Sequence, residues 1–111
     1  MSYRHQQLAR GGWFKLSLLE QLANVGSEVE RAIEQKRKGN MKYSQLAFER
    51  ALELLSLTID DPKNRFRLKE PLRLYELLVD YFAGDNSYGS SDQLWHNYFS
   101  AFAYAVRTKL K

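Results

Sequence analysis

The chain has 111 residues, of which 44% are hydrophobic and 27% charged. This length predicts one domain that buries enough surface to fold without cross-links. The absence of cysteine excludes disulfides, thiolate metal sites and a cysteine nucleophile. No apolar run approaches the ~18 residues that a membrane span requires. We therefore expect a soluble, cytoplasmic protein with no membrane segment, metal or cofactor, whose net charge of +4 permits an acidic partner.

The first helical pattern follows a segment without hydrophobic periodicity. We interpret residues 1–15 as an N-terminal tail and residues 16–111 as a single domain. Ser17 and Glu20 form the S-x-x-E pattern of a capping box, which predicts a helix start. One apolar stripe then recurs at spacings of four and three: Leu18, Leu22, Val25, Val29 and Ile33. Cations followed by glycine at 36–39 predict its end.

A second helix is predicted from Asn40, as its N-cap, to the break at Asp60-Asp61-Pro62. A third carries an apolar series that we interpret as its core stripe: Leu68, Leu72, Tyr75, Val79 and Phe82. Pro71 fits the first turn of this helix or a kink, and Gly84 predicts its end.

The stretch from Gly84 to Ser91 (GDNSYGSS) lies between two helical patterns. Its glycines, amides and hydroxyls are typical of a turn, so we interpret it as a joint rather than a catalytic loop. Ser91, or Ser90 together with Gln93, predicts the N-cap of a fourth helix with an aromatic stripe: Trp95, Tyr98, Phe99, Phe102 and Val106. Four helices with short connections predict an all-α, up-down-up-down antiparallel four-helix bundle.

The second and third helices have wider apolar arcs than a bundle core requires. Leu74, Leu77 and Tyr81 extend the third helix beyond its predicted stripe. Surplus apolar surface of this kind marks interfaces. These residues therefore predict a homodimer, or a stable protein partner, formed through the second and third helices.

A basic segment lies between the second and third helices. Lys63, Arg65, Arg67 and Lys69 surround the aromatic Phe66. Such a cluster can hold phosphates and stack a base, and this is the basis of a nucleic-acid or nucleotide-binding alternative. The alternative is an ordinary solvated loop beside cationic helix ends.

Arg50 falls inside the apolar arc of the second helix. A buried arginine requires a partner, and Glu28 beside the first stripe is a candidate. The alternatives are an interface or a snorkelling side chain whose head reaches water.

Other polar residues give weaker indications of chemistry. His96 flanks the aromatic stripe, where a lone histidine is typical of a helix boundary. Asp80, Asp85 and Asp92 do not form a calcium loop, because the twelfth position of a loop that starts at Asp85 is His96 rather than a glutamate. No phosphate-binding, dinucleotide or zinc-protease motif occurs.

The chain resembles a group of small prokaryotic four-helix proteins through three stretches: LSLLEQLANVGSEVERAI, AFERALELLSLTIDDP and DYFAGDNSYGSSDQLWHNYF. More distantly it is similar to HEPN-type domains, some of which cleave RNA with an arginine followed by a histidine near the start of the last long helix. His96 could match that histidine, but no arginine precedes it at the required distance, so no catalytic residue is carried over.

We therefore expect a non-enzymatic interaction module that self-associates or binds a protein partner. The alternative is nucleic-acid or nucleotide binding through residues 63–69. A second alternative is an HEPN-like ribonuclease that uses His96 with Asp80 or Asp92.

Overall fold

The computed structural model describes residues 12–109. These residues form helices and no strands: α1 Leu18–Arg37, α2 Met41–Asp60, α3 Lys69–Ala83 and α4 Asp92–Lys109. Two short 3₁₀ turns, Trp13–Lys15 and Pro62–Asn64, precede α1 and α3. The predicted all-α fold with four helices is confirmed.

The predicted signals at the two ends of α1 are confirmed. Ser17 Oγ accepts from the Glu20 amide at 3.1 Å, and the Glu20 carboxylate accepts from the Ser17 amide at 3.0 Å. At the other end Gly39 adopts φ 82°, a left-handed conformation that costs glycine little. Asn40 occupies the N-cap position of α2, as predicted, but its side chain makes no capping hydrogen bond, because its amide donates to Gln35 Oε1 at 2.9 Å instead.

The core lies where α1 packs against α2 on one side and α4 on the other. All five residues of the predicted α1 stripe are buried. On α4, Trp95 and Phe99 are buried in the same core. Gly26 allows the closest approach, because a Cβ atom there would lie only 2.6 Å from Phe99 Cδ1.

The facing of α3 differs from the prediction. Leu74 and Leu78 are buried at 2% and 0% exposure, whereas Leu72 of the predicted core stripe is 51% exposed. Tyr75 and Val79 are only partly buried. Apolar residues occupy most of the circumference of α3, so periodicity alone did not determine which side meets α2.

The N-terminal boundary also differs from the predicted domain division. Trp13, assigned to the tail, is 4% exposed and packs in the core. Its indole Nε1 donates to Thr58 Oγ1 at 3.1 Å, which attaches the 3₁₀ turn before α1 to the last turn of α2. The rest of the predicted tail, residues 1–11, lies outside the described residues.

A buried polar network surrounds this attachment. Gln21 Nε2 donates to the Trp13 carbonyl at 3.0 Å and to Asp61 Oδ2 at 2.8 Å. Asn64 Nδ2 donates to Gln21 Oε1 and to the Thr58 carbonyl, each at 2.9 Å. The network satisfies buried polar groups and fixes the connection between α2 and α3.

The Asp61 carboxylate is the charged centre of this network. It accepts hydrogen bonds from the Lys63 ammonium group and, at 3.1 Å, from the Lys63 amide. Burial raises the pKa of Asp61, but the hydrogen bonds from Lys63 and Gln21 outweigh it and leave the pKa below its usual value. The ionised carboxylate is therefore the form that fits the fold.

Candidate functional site

An apolar cleft separates α3 from α4. Its volume is about 480 Å³, within the range of ligand and anchor-residue pockets. Leucines and aromatic rings form its walls, and Glu70 and Arg73 contribute its charged groups. The lining residues are Glu70, Arg73, Leu74, Leu77, Ser90, Leu94, Trp95 and Tyr98. The cleft therefore combines an apolar surface with charged groups of both signs.

Two tyrosine hydroxyls bridge α3 and α4 on either side of this cleft. Tyr98 of α4 donates to Glu70 in the first turn of α3, and Tyr81 of α3 donates to Asp92 in the first turn of α4. Burial, and then the hydrogen bond to Asp92, raise the pKa of Tyr81 to about 12. Burial and Glu70 likewise raise the pKa of Tyr98 well above its usual value. Both hydroxyls therefore remain protonated donors at neutral pH.

The floor of the cleft contains an incompletely satisfied polar group. Trp95 is 5% exposed, and its indole Nε1 has no hydrogen-bond partner among the described residues. A buried donor without an acceptor costs about 1–3 kcal/mol. A rearrangement of the cleft that supplied an acceptor would recover part of this cost.

The three predicted interface residues lie near one another but differ in exposure. Leu74 and Leu77 both line the cleft. Leu74 is buried and Leu77 is partly buried, so neither is the freely exposed side chain that the sequence suggested. Tyr81 packs partly against the core and donates to Asp92. The exposed apolar residue of the cleft is Leu94, at 56%, which the sequence analysis missed.

The residues of the basic segment 63–69 have two different surroundings in the structure. Phe66 is 86% exposed, and the Arg65 guanidinium carbon lies 4.8 Å from its ring centroid. Arg67 and Lys69 are exposed beside them. Lys63 instead donates to Asp61 and to the Phe14 carbonyl at 3.0 Å. The segment therefore presents two arginines, one lysine and a ring, while Lys63 contributes to the fold.

Arg50 and Glu28 are brought together between α2 and α1. Arg50 Nη1 lies 3.8 Å from Glu28 Oε1, and Arg31 Nη1 donates to the same oxygen at 2.7 Å. The Arg50 side chain is 49% exposed, which matches the snorkelling alternative, with a stem on the helix and a head at the surface, and Glu28 is its ion-pair partner. Glu28 is the buried member, and its Oε2 finds no partner within residues 12–109.

His96 lines a second, polar cleft between α1 and α4. Its Nδ1 lies 3.1 Å from Glu30 Oε1. Asp92 and Arg37 line the same cleft, whose volume is about 470 Å³. Asp80, the other acid proposed for His96, accepts instead from the amides of the joint and does not line this cleft.

The joint between α3 and α4 is held by its own side chains. The Asp80 carboxylate accepts from the amides of Ser87 and Tyr88 at 2.8 and 3.1 Å. Asn86 adopts φ 53° and exchanges two hydrogen bonds with the Ser90 backbone. Ser91 Oγ accepts from the Leu94 amide at 3.1 Å, which makes Ser91 the N-cap of α4. These polar residues shape a connection, as the turn interpretation predicted.

Within residues 12–109 no three His, Asp or Glu side chains come together in a group that could hold a metal ion. Every helix in this part of the chain is too short or too polar to cross a bilayer. Comparisons with protein-family models, with curated proteins and with solved structures find no match to the chain.

Proposed function

We propose that this chain is a non-enzymatic helical-bundle module that self-associates through the cleft between α3 and α4. An up-down-up-down antiparallel connection of the helices and a cytoplasmic location belong to the same proposal. The observation that carries it is the apolar cleft of about 480 Å³ with exposed Leu94 at its edge. A leucine from a second copy could enter this cleft while its own cleft receives Leu94, the reciprocal arrangement of a two-fold dimer.

The rim of the cleft supports a reciprocal contact. Glu70 and Arg73 carry opposite charges on the same helix. A two-fold axis across the cleft can bring the acid of one copy near the base of the other. Opposite charges at a rim favour correct register more than they add affinity. The apolar centre would then supply most of the free energy of association.

Sedimentation of the purified protein tests this function. We expect a dimer at micromolar concentration and a monomer for Leu94→Glu, because a carboxylate at the cleft would lose hydration on association. Tyr104→Glu is the matched control, since Tyr104 is also exposed on α4, at 66%, but does not line the cleft. A monomeric wild type would reject self-association, and a dimeric Leu94→Glu with unchanged helicity would place the interface elsewhere.

The alternative function is nucleic-acid or nucleotide binding by residues 63–69, and the exposure of Phe66 beside Arg65 favours it. Binding through phosphates should weaken steeply with salt, whereas an apolar contact should not. Arg65→Glu combined with Arg67→Glu should abolish retention of labelled single-stranded RNA. Reversal of Lys38 and Lys42, two exposed lysines outside this segment, is the control and should leave retention unchanged.

The second alternative, an HEPN-like ribonuclease, receives support from the polar cleft that holds His96, Asp92 and Arg37. A histidine paired with a carboxylate beside an arginine can act as a general base with a stabilising cation. Cleavage of labelled RNA that is lost in His96→Ala and retained in Asn97→Ala would favour this reading. Intact RNA after prolonged incubation would exclude it.

A further inference from the structure

A second groove lies on the opposite side of α3, between α3 and α2. Its volume is about 490 Å³, and its walls are largely apolar. The α2 wall contains Ile59, and the α3 wall contains Leu72, Tyr75 and Val79. These apolar groups remain accessible because α3 turns Leu74 and Leu78 toward the core. The groove is separate from the cleft that carries the proposed function.

Acidic residues border this groove. Asp60 and Glu76 line it directly. Glu49 and Glu53 precede Asp60 on the same face of α2, since residues three, four or seven apart share one side of a helix. An occupant of matching chemistry would carry apolar side chains and positive charge.

The chain itself contains a segment with this chemistry. Residues 1–11 (MSYRHQQLARG) include Arg4 and Arg10, contain no acidic residue, and carry three large apolar side chains: Met1, Tyr3 and Leu8. The charge of the segment is therefore opposite in sign to that of the groove border.

The described part of the chain begins near one end of the groove. Trp13 is hydrogen-bonded to Thr58, which directly precedes Ile59 and Asp60 of the groove wall. A groove bounded by one to two turns of each helix is about 5–11 Å long. Eleven residues can span about 36 Å when extended, so the segment is long enough to follow it.

We propose that residues 1–11 bind in cis in the groove between α2 and α3, with their apolar side chains on Ile59, Leu72, Tyr75 and Val79 and their arginines at the acidic border. The short tether favours the segment of the same chain over that of another copy, because it holds the segment at an effective concentration of about millimolar. The segment covers apolar surface that α3 leaves exposed. This inference does not depend on the α3–α4 cleft.

Paramagnetic broadening tests the proposal directly, because the chain contains no cysteine and accepts a single label without background. A spin label on Gln7→Cys in the full-length, ¹⁵N-labelled protein should broaden the amide signals of Leu72, Tyr75, Glu76 and Val79. Reversal of both Arg4 and Arg10 to glutamate should restore these signals. Reversal of Arg65 and Arg67, two arginines outside the segment, is the matched control and should leave the broadening unchanged.

Three results would overturn the proposal. Broadening confined to residues near Trp13 would show that the segment does not enter the groove. Unchanged broadening after the Arg4 and Arg10 reversal, in a protein with the same dispersed spectrum, would refute the charge argument. A mixture of spin-labelled protein at natural isotope abundance and ¹⁵N-labelled protein without a spin label gives the third result: broadening in this mixture would place the segment on a second copy. Sedimentation would still test the α3–α4 cleft separately.

Discussion

Gly26→Ala should destabilise the protein even though alanine is the better helix former. The added Cβ would lie 2.6, 2.7 and 2.8 Å from Cδ1, Cγ and Cβ of Phe99, whereas ordinary carbon contacts are about 3.5–4.0 Å. The affected atoms are at the root of the Phe99 side chain, so a rotamer change cannot relieve the contact. Phe99 also stacks on Trp95 with ring centroids 5.9 Å apart, and α4 must therefore move away from α1.

The magnitude follows from two opposing effects. Overpacking a core typically costs about 1–3 kcal/mol. Replacing a helical glycine by alanine returns about 1 kcal/mol. Because three Phe99 atoms are involved, we expect the upper part of the overpacking range and a net loss of about 1–2 kcal/mol. For a domain of this size that corresponds to a fall in Tm of about 4–10 °C.

Urea unfolding followed by circular dichroism measures this loss, with Ser27→Ala as the matched control. Ser27 is exposed beside Gly26 on α1 and does not face the core, so its change should stay within about 0.5 kcal/mol. The Gly26→Ala penalty should also shrink in a Phe99→Ala background, since Cγ and Cδ1 of residue 99 are then absent. A Gly26→Ala protein more stable than the wild type would refute the close-approach reasoning.

Three further changes test the tethers and the buried network. Tyr98→Phe should lose about 1–2 kcal/mol of unfolding free energy at pH 8. Because the folded pKa of Tyr98 is raised, this difference from the wild type should shrink as pH rises above about 10. The control Tyr104→Phe should match the wild type throughout. Asp61→Asn should lose about 1–3 kcal/mol of unfolding free energy in urea at pH 7. Because the folded pKa of Asp61 is lowered, the carboxylate stabilises the fold above the unfolded pKa of 3.8, and this stabilisation disappears as pH falls through the folded pKa. Equal losses at pH 7 and pH 2 would contradict this direction of the pKa shift. Trp13→Ala should lower stability by about 3–5 kcal/mol in the same assay, whereas Phe66→Ala should have little effect because Phe66 is 86% exposed; a neutral Trp13→Ala would return residues 12–15 to the tail.

The sequence predicted α1 well because its apolar stripe is narrow. One face of α1 is apolar, its cap has a specific pattern, and a glycine follows its last turn. Each local signal agrees with the packing against α2 and α4, which is the condition under which periodicity identifies a buried face.

The sequence did not determine which side of α3 is buried, and the reason is physical. Apolar residues lie on several sides of this helix, so Leu72 and Leu74 were equally acceptable as core residues. The side of α3 that packs on α2 depends on the path of the segment from Asp61 to Leu68, which connects the two helices. The hydrogen bonds of Asn64 and Gln21 fix that path. Such contacts join residues 43 positions apart, and no local pattern encodes them.

The candidate site was predicted only in outline. Leu74 and Leu77 were identified as interface residues, and both do line the α3–α4 cleft. The wider apolar arc of α3 does leave apolar surface outside the core, but at Leu72 rather than at the predicted Leu74. Leu94 was missed because it lies beside the aromatic stripe of α4, where periodicity assigns residues to the solvent face.

The modest anchoring of α3 has a consequence for the kinetics of local opening. Its backbone packs mainly against α2, and it contacts α4 through side chains: the hydroxyls of Tyr81 and Tyr98, and the Tyr81 ring, whose centroid lies 6.3 Å from that of Trp95. Side-chain contacts across a cleft provide less protection than a continuous helix contact. We expect the amides of α3 to exchange with solvent deuterium sooner than those of α1, as a unit that opens while α1, α2 and α4 stay packed. Breaking one tyrosine tether would then accelerate exchange along α3 as a whole, and the two clefts that flank this helix would open together.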